Sequence, residues 1–166
     1  MGGRVQMHGH GERERTQQGP EAVGRPPTAR SVGVRRYKCT RCGATVTVAP
    51  RGVLRRRQYG ACVIGLALAL FGIEQRSARD VREAIAPTVV ARDPAEGATW
   101  STLQRWARAA KAGTLIVEGR ACPETFTLRQ AAERVATTFS VLGQRGADTL
   151  DRVWQGALEA HWGGTS

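Results

Sequence analysis

Apolar positions are unevenly spread along this chain. The first 57 residues are mostly polar and charged, and then one stretch, Tyr59 to Ile73 (YGACVIGLALALFGI), is apolar at almost every position. Tyr59, Val63, Leu66 and Leu70 share one helical face while Ile64, Leu68 and Phe71 cover another, so the pattern predicts a helix over Gln58 to Phe71 with neighbours on several sides. The run is shorter than the roughly 20 residues needed to cross a bilayer, so it reads as a core helix. Gly72 is its expected stop.

Further helices follow from capping spacing and apolar periodicity. Ser77 with Asp80 predicts a start, and Val81, Ala84 and Ile85 an inner face that ends at Pro87. Val89 to Ala98 reads as a loop. Ser101 with Gln104 repeats the capping spacing and opens a third helix ending at Gly113, with Leu103, Trp106, Ala107 and Ala110 inward. Thr127 with Gln130 caps a fourth helix carrying Leu128, Ala131, Val135, Phe139 and Leu142. Asp148 opens a fifth with Leu150, Val153, Trp154, Ala157, Leu158 and Trp162 at helical spacing, and Gly143 and Gly146 bracket the turn between the two.

Strand signals are weaker. Arg35–Cys39 and Thr45–Val48 alternate like strands. Arg4–Arg15 is interrupted by Gly9 and Gly11, and residues 16–33, rich in Gln, Gly, Pro and Ser, read as a flexible loop. The expected architecture is mainly α: a tri-helical helix-turn-helix core, a small N-terminal β segment of zinc-ribbon type and a C-terminal helical hairpin. The boundaries fall at 1–57, 58–113 and 114–166.

Charge sharpens this division. Of the formal +11, residues 1–57 carry a net +10, residues 58–112 a net +2 and residues 113–166 a net −1. Basic residues gathered in one third of a chain are the footprint of a polyanion binder, because Arg and Lys neutralise phosphates and release counterions. Arg outnumbers Lys 23 to 2. A coding bias explains that preference, but not why the excess lies at one end. Only Tyr37 and Tyr59 are placed to stack bases near the basic segment, which favours duplex over single-stranded RNA as the partner.

Two constellations carry the candidate chemistry. Cys39-Thr40-Arg41-Cys42-Gly43 has the form of a zinc knuckle, two thiolates from one tight turn, and structural zinc takes four ligands. His8 and His10 are the candidates to complete it. Cys62, within the apolar helix, reads as a small core residue, and Cys122 as an isolated thiol. The third helix has a polar, basic outer face, so Ser101, Thr102, Gln104, Arg105, Arg108 and Lys111 are the candidate DNA contacts, joined by Arg35, Arg36 and the triplet Arg55, Arg56, Arg57. Each of these also fits an ordinary solvated surface; their occurrence in one order carries the reading. The presumed turn between the second and third helices is longer than the usual three or four residues.

VQMHGHGERER, VRRYKCTRCGATVTVAP, the RRRQY that opens the apolar helix and STLQRWARA together resemble the N-terminal DNA-binding region of bacterial insertion-sequence transposases and related orphan zinc-ribbon, helix-turn-helix proteins. The similarity spans about Val5 to Lys111. It implies zinc, double-stranded DNA as partner and a role linked to transposition. In that family a first CPxCG-like knuckle precedes the HGH-like segment. Here the chain begins where that knuckle would end, which suggests a truncated or mis-called start. No acidic-triad nuclease framework, nucleophilic triad or phosphate-cradling loop is legible, so the expectation is a DNA-binding protein and not an enzyme. It would act in the cytoplasm at the nucleoid, without a membrane or a small-molecule substrate. The alternative from another class is a remnant or interaction protein that self-associates through the C-terminal hairpin, its basic arm incidental.

Overall fold

The computed structural model describes residues 6–86, 100–117, 119–144 and 148–162. Its elements, in chain order, are β1 (Met7–Gly19), β2 (Thr28–Cys39), β3 (Thr45–Val48), α1 (Ala61–Gly72), α2 (Ala78–Ile85), α3 (Ser101–Lys111), α4 (Leu128–Leu142) and α5 (Thr149–Glu159). The strands form one antiparallel sheet in the order β1-β2-β3.

The mainly α expectation does not hold. Strands of 13 and 12 residues build a long ribbon beside the five helices, giving a mixed fold of sheet and helical body. The segment read as a flexible loop, 16–33, is largely strand: β1 continues to Gly19 and β2 begins at Thr28. Gly11, at φ +97°, accompanies a register shift between Gly9 and Glu12, so the glycines that argued against a strand mark an irregularity inside one.

The helical body matches its apolar pattern more closely. Every residue of α1 except Phe71 is buried, as a helix apolar on all sides requires. It packs mainly on α4 and α5, and α3 leans on α4 more than on α1. The C-terminal helices therefore share one core with α1, where Phe139, Ile64, Leu68, Val153 and Ala157 are fully enclosed. Close approach depends on glycine at the crossings. A Cβ on Gly65 would lie 2.7 Å from that of Ala157, and one on Gly72 would lie 2.6 Å from the Cα of Glu133. Gly72 thus lies inside α1, and the left-handed residue beyond its end is Gln75, at φ +58°.

Capping follows the sequence at three helices of four. Ser77 accepts from Asp80 N–H and Thr127 from Gln130 N–H in reciprocal capping boxes, and Asp148 accepts from Asp151 N–H. At α3 the cap position belongs to Trp100, which offers no side-chain bond; Ser101 is already helical. Trp100 is held instead by packing. With Tyr59 and Trp106 it forms an edge-to-face cluster, centroids 5.2 to 6.0 Å apart, that pins the start of α3 to the segment entering α1. Leu142, expected inside, is half exposed. The Val89–Ala98 loop and Pro87 lie outside the described residues, as does the junction that a helix-turn-helix would need between α2 and α3.

Candidate nucleic-acid interface

The β1–β2 ribbon sorts its charges by alternation. Register pairs Arg13 with Val34, Arg15 with Val32, and Thr47 with Arg36, which puts Arg13, Arg15, Arg36 and, two residues on, Lys38 on one face. Glu12, Glu14 and Arg35 take the other. There Arg35 Nε donates to Glu12 at 2.9 Å, a matched charge pair, and Ser31 Oγ donates to Glu14 at 2.9 Å. The Glu12 carboxylate accordingly pushes the Arg35 pKa up. Arg13, Arg15, Arg36 and Lys38 take part in no ion pair among the described residues.

A loop, residues 49–60, folds along this cationic face and is stitched to β1. Buried Gln17 donates its amide to the Arg57 carbonyl at 3.1 Å, Arg15 reaches the same oxygen at 3.4 Å, and Gln18 N–H donates to the Gln58 carbonyl at 2.7 Å. Between loop and sheet lies a cleft of about 1040 Å³, lined by Arg13, Arg15, Arg36, Arg55, Arg56 and Arg57, with Val34 among its apolar lining and with Glu14 and Val46 also at its wall. Arg56 sits at φ +56°, a left-handed conformation that costs about 1 kcal/mol or more for a residue with a side chain.

Half-buried Arg57 has its pKa lowered, first by loss of water around the guanidinium and then by the neighbouring cation of Arg105. The aromatic cluster explains that closeness, since Tyr59 is two residues from Arg57 and Trp106 adjoins Arg105. A bound anion between the two guanidinium groups would relieve their repulsion.

The candidate DNA contacts thus divide. Arg36 and Arg55 to Arg57 line the cleft, and Arg105, outside its lining, is near enough to act on Arg57 electrostatically. Arg35 lies on the opposite face of the sheet, paired with Glu12. On α3, Arg105 donates to Thr102 Oγ1 at 3.2 Å and Arg108 to Gln104 Oε1 at 3.1 Å, while Ser101 is exposed. Lys111, at the far end, donates to the Glu124 carbonyl at 2.9 Å. Sequence reasoning missed Arg13, Arg15, Lys38 and the tie made by Gln17. The signal for the first two was present: in Glu12-Arg13-Glu14-Arg15, a period of two sends the carboxylates one way and the guanidinium groups the other.

The Cys39–Cys42 turn has the shape a metal knuckle requires. Cys39 N–H donates to the Ala44 carbonyl at 2.8 Å, Gly43 N–H donates back to Cys39 at 3.0 Å, and Gly43 adopts φ +72°. Backbone N–H groups of Cys42 and then Arg41 point at the Cys39 sulfur and hold its thiol pKa below the ordinary value. The two sulfurs fit zinc as half of a coordination set. His8 does not extend that half, because it pairs with Lys38, on the face opposite Cys39 and Met7. His10 packs its ring edge-on to His8, 6.5 Å away, and among the described residues no cluster of three metal-ligating side chains forms.

No helix of the described residues is long and apolar enough to cross a membrane. Comparison of the chain with protein-family models, curated proteins and solved structures finds no match.

Proposed function

We propose that this chain is a non-catalytic double-stranded DNA-binding protein that grips the phosphate backbone with one face of its β-ribbon and the adjoining arginine loop. The observation that carries this reading is the segregation of charge. Six arginines without ion-pair partners among the described residues line one cleft against a single carboxylate, Glu14, which accepts from Ser31, while Glu12 is turned to the other face and paired with Arg35. Folding a half-buried arginine beside another cation costs stability, and a polyanion returns it on binding.

In this arrangement the sheet and loop supply the sequence-independent grip. The exposed start of α3 supplies what base reading there is, through Ser101, Gln104, Arg105 and Arg108. This differs from a helix-turn-helix reader, in which the recognition helix dominates. A role linked to transposition, as the sequence resemblance implies, accords with such a module.

The test is binding of the purified chain to a mixed duplex pool at two salt concentrations, followed by sequencing of the retained DNA. Binding that weakens steeply with salt supports the reading, and enrichment of one motif would identify a base-reading role for α3. Binding indifferent to salt, or none, refutes it.

A further inference from the structure

The ribbon face away from the cleft is built differently, and we propose that it is a zinc-bridged homodimer interface: Cys39 and Cys42 of one copy and the same pair of a second copy bind a single zinc ion on a two-fold axis. The proposal does not depend on DNA binding.

Three observations lead to a second copy as the occupant. The turn of the knuckle is formed, closed by Cys39 N–H to the Ala44 carbonyl and Gly43 N–H to the Cys39 carbonyl with Gly43 at φ +72°, yet it offers two thiolates where tetrahedral zinc takes four ligands. His8 is turned to the other face, and no third metal-ligating residue joins the pair among the described residues. Cys42 is exposed at the tip of the sheet and Cys39, 8% exposed, lies just behind it, so a second knuckle would approach from the side of Cys42.

Next to it, on the face of Cys39, lies an uncovered apolar patch. Val46 pairs with Tyr37, Val48 with Arg35 and Met7 with Cys39, so by register all three share that face, with Val46 also reaching the rim of the cleft, and they are 50%, 53% and 36% exposed. Val46 and Val48 also lie on β3, the edge strand, whose backbone groups on the free side have no strand partner among the described residues. A self-complementary contact about a two-fold axis would bring knuckle to knuckle and cover both patches at once.

The chemistry balances. Four thiols lose their protons to solvent as one Zn²⁺ is bound, leaving a site of net charge −2. Arg41, inside each turn, places one cation per copy beside that charge. By register, Arg13, Arg15 and Arg36 lie on the other face from Met7 and Val48, so pairing in this way leaves those cations exposed, although Val46 also borders the cleft.

The experiment loads the reduced chain with zinc, removes excess metal, and measures bound zinc together with solution mass in the presence of a non-thiol reductant. The expected result is one zinc per two chains and twice the chain mass of 17.9 kDa, reverting to monomer on chelation. Cobalt in place of zinc should give the intense visible bands and sulfur charge transfer of a tetrahedral four-thiolate site. Cys42→Ser should abolish metal binding and dimer together, whereas Cys122→Ser should change neither. Should Cys42→Ser lose its circular-dichroism signature, reversal of the wild-type dimer by chelator tests the same point without a variant. One zinc per monomer, no zinc, or a dimer that survives chelation overturns the proposal.

Discussion

Neutralising three cleft arginines should change the salt dependence of DNA binding far more than neutralising three elsewhere. Consider Arg13→Gln, Arg36→Gln and Arg55→Gln together, against Arg35→Gln, Arg76→Gln and Arg79→Gln. Both sets lower the formal charge equally, from +11 to +8. The first removes cations that line the cleft; the second removes cations already paired with Glu12, Glu74 and Glu83. Each phosphate contact contributes about 0.9 to the slope of log affinity against log salt, so losing three should flatten it by about 2.7. Over a fourfold change in salt, that flattening is worth roughly 40-fold in relative affinity. Fluorescence anisotropy with a labelled duplex at several salt concentrations reads both slopes. Equal flattening by the two sets would show that bulk charge governs binding, and would refute the assignment to this face.

Four further outcomes follow from the packing and the titrating groups. Gly156→Ala should destabilise by about 3 kcal/mol or more, because its Cβ would overlap the Phe139 carbonyl where α5 crosses α4; urea unfolding measures it. Thr127→Ala, which removes a capping box, should cost about 1 kcal/mol in the same assay. Burial raises the Cys62 thiol from 9.0 to about 11, so folding favours its neutral form. Its contribution is complete below pH 9, is lost as pH rises through about 11, and should be on the order of 2–3 kcal/mol; Cys62→Ala should flatten that alkaline fall. Gln17→Leu, which removes the amide that holds the Arg57 carbonyl, should loosen the loop: DNA affinity should drop while α-helical circular dichroism is retained.

The helical body was legible because its signals are local. An all-apolar run announces a helix enclosed on every side, and Ser77, Thr127 and Asp148 announce their helix starts through side chains two or three residues from the donors they satisfy. The ribbon was obscure for the opposite reason. Most of β1 and much of β2 is exposed, so hydrophobic alternation is missing and only charge alternates, as in Glu12 to Arg15. Neither could the sequence reveal that Arg57 and Arg105, 48 positions apart, become neighbours. That closeness is produced by the Tyr59, Trp100 and Trp106 cluster, whose members read individually as core. Arg35 and Arg36 looked equivalent as a pair, and the pleat separates them: one is matched to Glu12 and the other lines the cleft.

The most direct test of the central claim is a nuclear magnetic resonance titration of the isotope-labelled chain with a short duplex, following backbone and arginine side-chain signals. The account predicts shifts concentrated at Arg13, Arg15, Arg36, Arg55 to Arg57 and Arg105, with Met7, Glu12 and Val48 unmoved. Shifts confined to the outer face of α3 or to the opposite face of the ribbon would contradict it.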